Sequence, residues 1–393
     1  MDKRLFVLAL GMFALGTDSF VVAGVLPQIA YTFAVPIGVA GQMTTIYAIT
    51  YALLAPTIAA LAATVRRKFL LLSSLALFVL ANVGTALAPT YALAMLTRVL
   101  AGISAAMFAP TATGAAAMLV APEKRGFALS VVIAGLSGST ALGTPIGAVI
   151  GHLGDWRWTM AFVAGLALIA GIGVWTMLPE IPAPPKIGLK QRLIPLADPR
   201  ITFTLLTTLL TMSGIFTVYT YFTVVFDRVI GGNAVALGLF LVLWGAAGTL
   251  SNLLVGRLID VLGNRRMISV MLSVLVIDTL LLPFASANVW TAVVAIVIWG
   301  GCGWGYLVPQ QHRLVSVASQ IAPVVLGLNT SCSYIGVSVG GLLGALAIQT
   351  VSAHNLGYIG ALPIIGALVS AELASWKIRS SGAVKPESAL ASA

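Results

Sequence analysis

"GTPIGAVIG", Gly143 to Gly151, and "GVSVGGLLG", Gly336 to Gly344, repeat one glycine spacing in two distant parts of the chain. Each is embedded in an apolar run. Glycines four apart line one face of a helix and let a second backbone approach closely, as helices do in lipid. Packing alone accounts for either stretch. Both fall in the fifth apolar segment of a set of six, and that matched position argues for a duplicated membrane bundle.

A bilayer core needs about 20 apolar residues per helix. Twelve segments meet this requirement: 5–30, 39–63, 69–88, 91–119, 127–150, 158–178, 201–226, 234–259, 267–286, 289–311, 324–350 and 357–378. The expected fold is an all-α membrane protein with twelve transmembrane helices in two pseudo-symmetric six-helix bundles. Residues 1–178 form the first bundle and 201–379 the second. A proline-rich basic connector, "PEIPAPPKIGLKQRLIPLADPR" (179–200), joins them on the cytoplasmic side. The tail, 380–393, is small and polar and is expected to be disordered.

Composition excludes a soluble protein. Only 8% of residues are charged and 59% are hydrophobic, against about a quarter charged in soluble domains. The net charge of +10 does not indicate nucleic acid. With the amino terminus inside, all but three of the 21 Lys and Arg residues fall on the cytoplasmic side. Arg157 and Arg228 lie outside and Arg98 lies within a span. That asymmetry places both termini in the cytoplasm of a multi-pass plasma membrane protein, the inner membrane of a bacterium. The first segment runs on to about Ala30 with no cleavage site after a short core, so it is a retained span. Cys302 and Cys332 lie in apolar runs and give neither a disulfide framework nor metal-ligand spacing. No phosphate-binding loop is present in the sequence, which leaves no motif for direct use of ATP.

A second pair of motifs supports the duplication. "ALAATVRRK" (Ala60 to Lys68) follows the second segment and "GRLIDVLGNRR" (Gly256 to Arg266) follows the eighth. The latter resembles the loop signature of the major facilitator superfamily at Gly256, Leu258, Asp260, Gly263, Arg265 and Arg266. The first-half copy keeps Leu61, Arg67 and Lys68 but has Ala59 and Ala63 where the family has glycine and aspartate. "RVLAGISAA", with Arg98 and Gly102, resembles the family's fourth-span motif. "GLSGSTALGTPIGAVIG", with Gly143, Pro145 and Gly147, resembles the fifth-span motif of its 12-span drug:proton antiporter branch. "GDWRWTMAF" (Gly154 to Phe162) is similar to the stretch that opens span six. The resemblance covers about Leu5 to Arg379. It implies alternating access, a central cavity lined by the first and fourth spans of each half, a loop that sets the inward–outward balance, and export of small organic solutes or drugs driven by the proton gradient, with no cofactor. It also implies a monomer whose partners are the solute and the lipid.

Asp18 and Arg98 are the leading candidates for that coupling. Charges inside spans are expensive and are functional candidates by default. At 1.5 Å per residue, Asp18 is about 18 Å from the cytoplasmic start of span one. Arg98 is about 20 Å from the same edge of a core about 30 Å thick. Low dielectric disfavours a lone carboxylate, and a nearby guanidinium restores it. Moving Arg98, or bringing in a cationic solute, changes the proton affinity of Asp18. A structural ion pair that fixes helix packing is the alternative.

Candidate cavity residues are Phe20 and Phe108 in the first half, and Tyr219, Phe222, Trp304 and Tyr306 in "FTVYTYF" and "WGGCGWGYLVPQ" of the second. Aromatics bind a flat or amphipathic solute by stacking; helix packing and interfacial belts explain them equally well. Asp278 and Glu372 are intramembrane charges with structural or boundary roles, and Asp227 and Arg228 are interfacial. Pro27, Pro110, Pro145 and Pro309 are expected to interrupt helices. Three other functions stand beside export: an importer or facilitated carrier on the same fold, a sensor, and an intramembrane enzyme. "GVSVG" (Gly336 to Gly340) matches the serine-nucleophile pattern, but the three histidines lie at span ends or in loops, so no enzyme is expected.

Overall fold

The computed structural model describes residues 2–182 and 188–381. The tail expected to be disordered therefore lies, from residue 382 on, outside the described residues, as do residues 183–187 of the connector.

Every regular element among the described residues is a helix. Eleven are long and apolar enough to cross a membrane. The longest, Ala234–Ala285, has 52 residues. At 1.5 Å per residue it would be more than twice the thickness of a bilayer core. It breaks at Gly263, whose φ of 75° and ψ of 155° suit a residue without Cβ, and so supplies two spans. The spans are α1 (Lys3–Phe33), α2 (Gln42–Leu61), α3 (Arg67–Leu87), α4 (Tyr91–Met118), α5 (Arg125–Leu153), α6 (Trp156–Met177), α7 (Pro199–Tyr219), α8 (234–262), α9 (264–285), α10 (Val289–Val317), α11 (Ala322–Ala347) and α12 (Leu356–Ser380). Polar caps start many of them: Asp2, Thr90, Asp155, Asp198, Asn233 and Asn288 each accept from a backbone N–H of the first turn.

The packing repeats after six spans. In the first set α1 packs on α5 and α6, and α4 on α2 and α3. In the second, α7 packs on α11 and α12, and α10 on the α8–α9 hairpin. Two seams join the sets, α2 against α11 and α5 against α8. Exchanging the sets turns one seam into the other, as a pseudo-two-fold requires. The glycine repeats make the equivalent contacts. A Cβ on Gly143 would lie 2.0 Å from the Thr17 hydroxyl of α1, and one on Gly340 would lie 2.4 Å from the Ser213 carbonyl of α7. At Gly340 the contact is with backbone and only glycine allows it, whereas at Gly143 a Cβ would force the Thr17 side chain to move.

Large apolar side chains cover the outside, among them Leu250, Leu253 and Phe284, while Trp158, Trp290 and Trp376 sit exposed at span ends. This is the surface lipid requires, with an aromatic belt at its edges. Many buried hydroxyls return to their own helix: Thr17, Ser19, Thr211 and Thr217 each donate to a carbonyl four residues back.

Two of the four expected proline interruptions do not occur. Pro27 and Pro110 lie inside unbroken helices. At Pro27 the carbonyl freed on Ala23 accepts a hydrogen bond from Thr223 of the other set, which offsets the lost backbone bond. Pro145 follows a π-turn at Ser139–Gly143, where the missing N–H and the ring displace the ladder of α5. Pro309 follows a break in α10 between Gly305 and Leu307. The seventh helix is shorter than expected: it ends at Tyr219, and the chain continues as the short helices Phe222–Val225 and Asp227–Ile230.

Candidate functional site

Gly102 sets the geometry of the charge site. A Cβ there would meet the Tyr47 carbonyl at 2.8 Å, so α4 lies close against α2. One turn earlier on α4, Arg98 is carried toward α1. Its Nη1 donates to Asp18 Oδ1 at 2.6 Å. Nη2 reaches the Asp18 carbonyl at 3.4 Å and Nε the Met43 carbonyl at 3.5 Å. Both side chains are fully buried. The depth argument from sequence thus becomes a direct contact between α1 and α4. The pair is single-pronged, because Asp18 Oδ2 is buried and has no hydrogen-bond partner.

Three neighbours gave no signal in the sequence. The Arg98 guanidinium lies 4.7 Å from the centre of the Tyr47 ring, a cation–π contact. The Tyr47 hydroxyl accepts from Ser19 Oγ at 3.0 Å. Tyr334, from α11 of the second set, lies within electrostatic reach of Asp18 and packs against Tyr51 of α2 with the rings tilted by 30° and centroids 4.1 Å apart. The charge site therefore touches the seam between the sets. Tyr47 and Tyr51 are four apart and share one face of α2, but nothing in the sequence tied that face to the charge site or to its partner on α11.

The aromatic residues gather in the second set, with one exception from the first. Phe20 of α1 projects against Phe216, Tyr219 and Trp304, with centroids 5.9, 6.1 and 5.6 Å away. Tyr219 stacks on Trp244 at 4.3 Å, and Phe222 lies parallel to Trp299 at 6.3 Å. Phe216 and Trp299 open the two aromatic stretches read from sequence without being named as cavity residues, and Trp244 was not singled out. Phe108 stands apart from this group: it fills the first-set core, where a Cβ on Gly11 would touch its ring. Tyr306 lies beneath α7, its hydroxyl donating to the Thr208 carbonyl at 3.4 Å.

The loop motifs act as anchors. Lys68 Nζ donates to the Leu178 carbonyl at 2.6 Å and the Arg67 amide to the Ile181 carbonyl, tying the start of α3 to the end of α6. In the second set Arg265 pairs with Glu372 at 2.7 Å, tying the start of α9 to α12. Asp260 and Arg266 are exposed, as is Gly256. Gly147 packs on Val21 of α1. Asp227 pairs with His354 at 2.7 Å. Asp278 is buried on α9 with Oδ2 unpartnered.

The serine-nucleophile pattern is absorbed by packing. Gly336 and Gly340 lie against the Leu209 and Ser213 carbonyls. His152 bonds Gly232, His312 bonds Asn264 and His354 bonds Asp227.

Comparison with known proteins agrees with this architecture. The family model described as "Major Facilitator Superfamily" matches residues 8–341. The chain is 32% identical over 370 residues to the inner membrane transport protein YdhP of Escherichia coli K12, covering 94% of each chain. It is 26% identical to the uncharacterized MFS-type transporter YbcL of Bacillus subtilis, covering 94% of this chain and 95% of that one. In structure it is similar to a bacterial homolog of the human lysosomal transporter Spinster, solved inward-facing and unoccupied, with a TM-score of 0.79, 16% identity and 98% of each chain covered. Twelve spans in two pseudo-symmetric sets, the repeated glycine seams and these matches together make the chain a member of the major facilitator superfamily of membrane transporters.

Proposed function

We propose that this transporter exports a small organic solute in exchange for protons, with both termini in the cytoplasm of a bacterial inner membrane. Asp18 carries the proton and Arg98 modulates it. The observation that carries this reading is the half-satisfied carboxylate: one oxygen is held by Arg98 and the other is buried with no partner. A buried carboxylate oxygen without a partner is costly, and a proton relieves that cost. A cation, or a shift of Arg98, alters the same balance, so proton and solute compete for one charge. The contacts of α1 with the second set at Tyr219 and Thr223 hold the bundles together on the side away from the termini, which suits an inward-facing state.

The test is solute flux in proteoliposomes under an imposed pH gradient. Asp18→Asn is expected to abolish the gradient-driven component while leaving downhill exchange. Full gradient-driven flux in Asp18→Asn would remove the proton assignment. Uptake into right-side-out vesicles along the proton gradient would instead make the protein an importer.

A further inference from the structure

Phe20 belongs to the first set but ends in a box built by the second. Phe216, Tyr219 and Trp304 surround its ring on three sides, the last two edge-on at 90° and 82°. Behind them Trp244 stacks on Tyr219 and meets Trp304 edge-on at 5.5 Å. Among the described residues, two hydrogen bonds draw α1 onto this box: a 3.5 Å bond from the Tyr219 hydroxyl to the Phe20 carbonyl and a 3.3 Å bond from Thr223 to the Ala23 carbonyl.

The box also contains unused donors. The indole N–H groups of Trp244, Trp299 and Trp304 are all buried without a hydrogen-bond partner. Indole nitrogen donates only. Native proteins keep buried donors paired, and an orphan costs on the order of 1–3 kcal/mol. Three in one aromatic cluster mark a place that lacks acceptors. Parting of the bundles on this side would withdraw Phe20 with α1 and leave the Tyr219 hydroxyl without the Phe20 carbonyl, as a fourth donor.

From this geometry we infer that Phe20 is an internal stand-in for the solute, and that the slot it vacates on the second set binds a planar aromatic ring bearing hydrogen-bond acceptors. This rests on the reading of the chain as a transporter of a small organic solute and names the class of that solute. The edge-on walls select flatness, and the unpaired indoles select carbonyl, ether or ring-nitrogen acceptors over a bare hydrocarbon. Because Phe20 follows Asp18 by two residues on α1, withdrawal of the plug moves the same segment that holds the carboxylate.

The experiment is equilibrium dialysis of the full chain in nanodiscs, without a pH gradient, against three planar bicyclic probes: coumarin, with two acceptor oxygens and no donor, naphthalene, with neither, and indole, with a donor. Protein-free nanodiscs give the lipid background. Coumarin is expected to bind at least tenfold more tightly than either other probe. Trp304→Phe and Trp244→Phe keep a ring but lose the N–H; each is expected to bring coumarin toward naphthalene and leave naphthalene unchanged. Phe20→Ala is expected to tighten coumarin severalfold, as removal of a competitor does. Equal binding of coumarin and naphthalene by the wild type overturns the proposal even where a tryptophan variant fails to fold. Weakened coumarin binding by Phe20→Ala overturns the plug. A preserved coumarin preference beside undiminished gradient-driven flux in Asp18→Asn would remove the proton assignment and leave the slot standing.

Discussion

The two six-span sets share a scaffold and differ in what they bury at its centre. Both pack their first span on their fifth through glycines four apart. Both tie the start of the third span to the sixth, through Lys68 and Leu178 in one set and Arg265 and Glu372 in the other. At the centre the likeness stops. The first set joins α1 and α4 by a buried ion pair, whereas α7 and α10 of the second present aromatic rings and hydroxyls. A duplication has to keep the positions where backbones touch, because a side chain there forces the helices apart. It leaves side chains that face the centre free to diverge. Under the proposed function, charge handling falls to one set and contact with a flat solute to the other.

The sharpest way to break the contrast is to remove the charge that only the first set has. Arg98→Ala strands a buried carboxylate, and loss of one partner of a buried pair costs about 3–5 kcal/mol. Thermal unfolding in detergent should show the largest loss of the series, and Arg98→Ala combined with Asp18→Asn should recover most of it. No recovery would mean that Arg98 acts through packing alone.

The shared glycine seams give the next effect and sharpen the comparison. At Gly340 an added Cβ meets backbone, the Ser213 carbonyl at 2.4 Å and the Thr217 amide at 2.8 Å. At Gly143 its nearest contact is the Thr17 hydroxyl, a side chain that can rotate. Gly340→Ala is expected to cost about 1–3 kcal/mol, in the range of overpacked cores, and Gly143→Ala less. Equal costs in a melting series would show that α5 and α11 are equally constrained.

Tyr47→Phe keeps the ring over Arg98 and removes the hydroxyl that accepts from Ser19. A net hydrogen bond is worth about 0.5–1.5 kcal/mol, so a small stability loss is expected, with a shift in the pH dependence of flux that Tyr51→Phe does not produce. Matching pH profiles for the two variants would detach Tyr47 from the charge site.

The smallest effect lies where the second set begins. Asp198 caps α7 by accepting from the Arg200 amide and pairs with its guanidinium at 2.7 Å. The Arg200 hydrogen bond holds the Asp198 carboxyl below its ordinary value of 3.8. A depressed acid adds stability that is full above its unfolded value and is lost as pH falls through the lower folded one. Asp198→Ala is therefore expected to cost about 1 kcal/mol near neutrality, typical of an N-cap, and progressively less as pH falls through the lowered folded value. A cost that persists in acid would assign the loss to backbone strain.

The span count, the repeat and the exposed apolar exterior follow from sequence, because lipid imposes one rule, about 20 apolar residues with all backbone groups bonded internally. The same rule flags Asp18 and Arg98, since charge is rare within spans and therefore conspicuous. Contacts between segments obey no such one-dimensional rule. Pro27 reads as a break, yet Thr223 of the other set takes up the freed carbonyl of Ala23. Phe108 and Phe20 look alike along the chain, yet one fills a core against Gly11 and the other crosses to the opposite set. Tyr334 reaches the Asp18 site only because α11 packs on α2. Hydropathy is a property of each segment by itself and survives in the sequence; which side chains meet across a seam depends on helix rotation and on the bundle that packs opposite, and only folding in three dimensions fixes those.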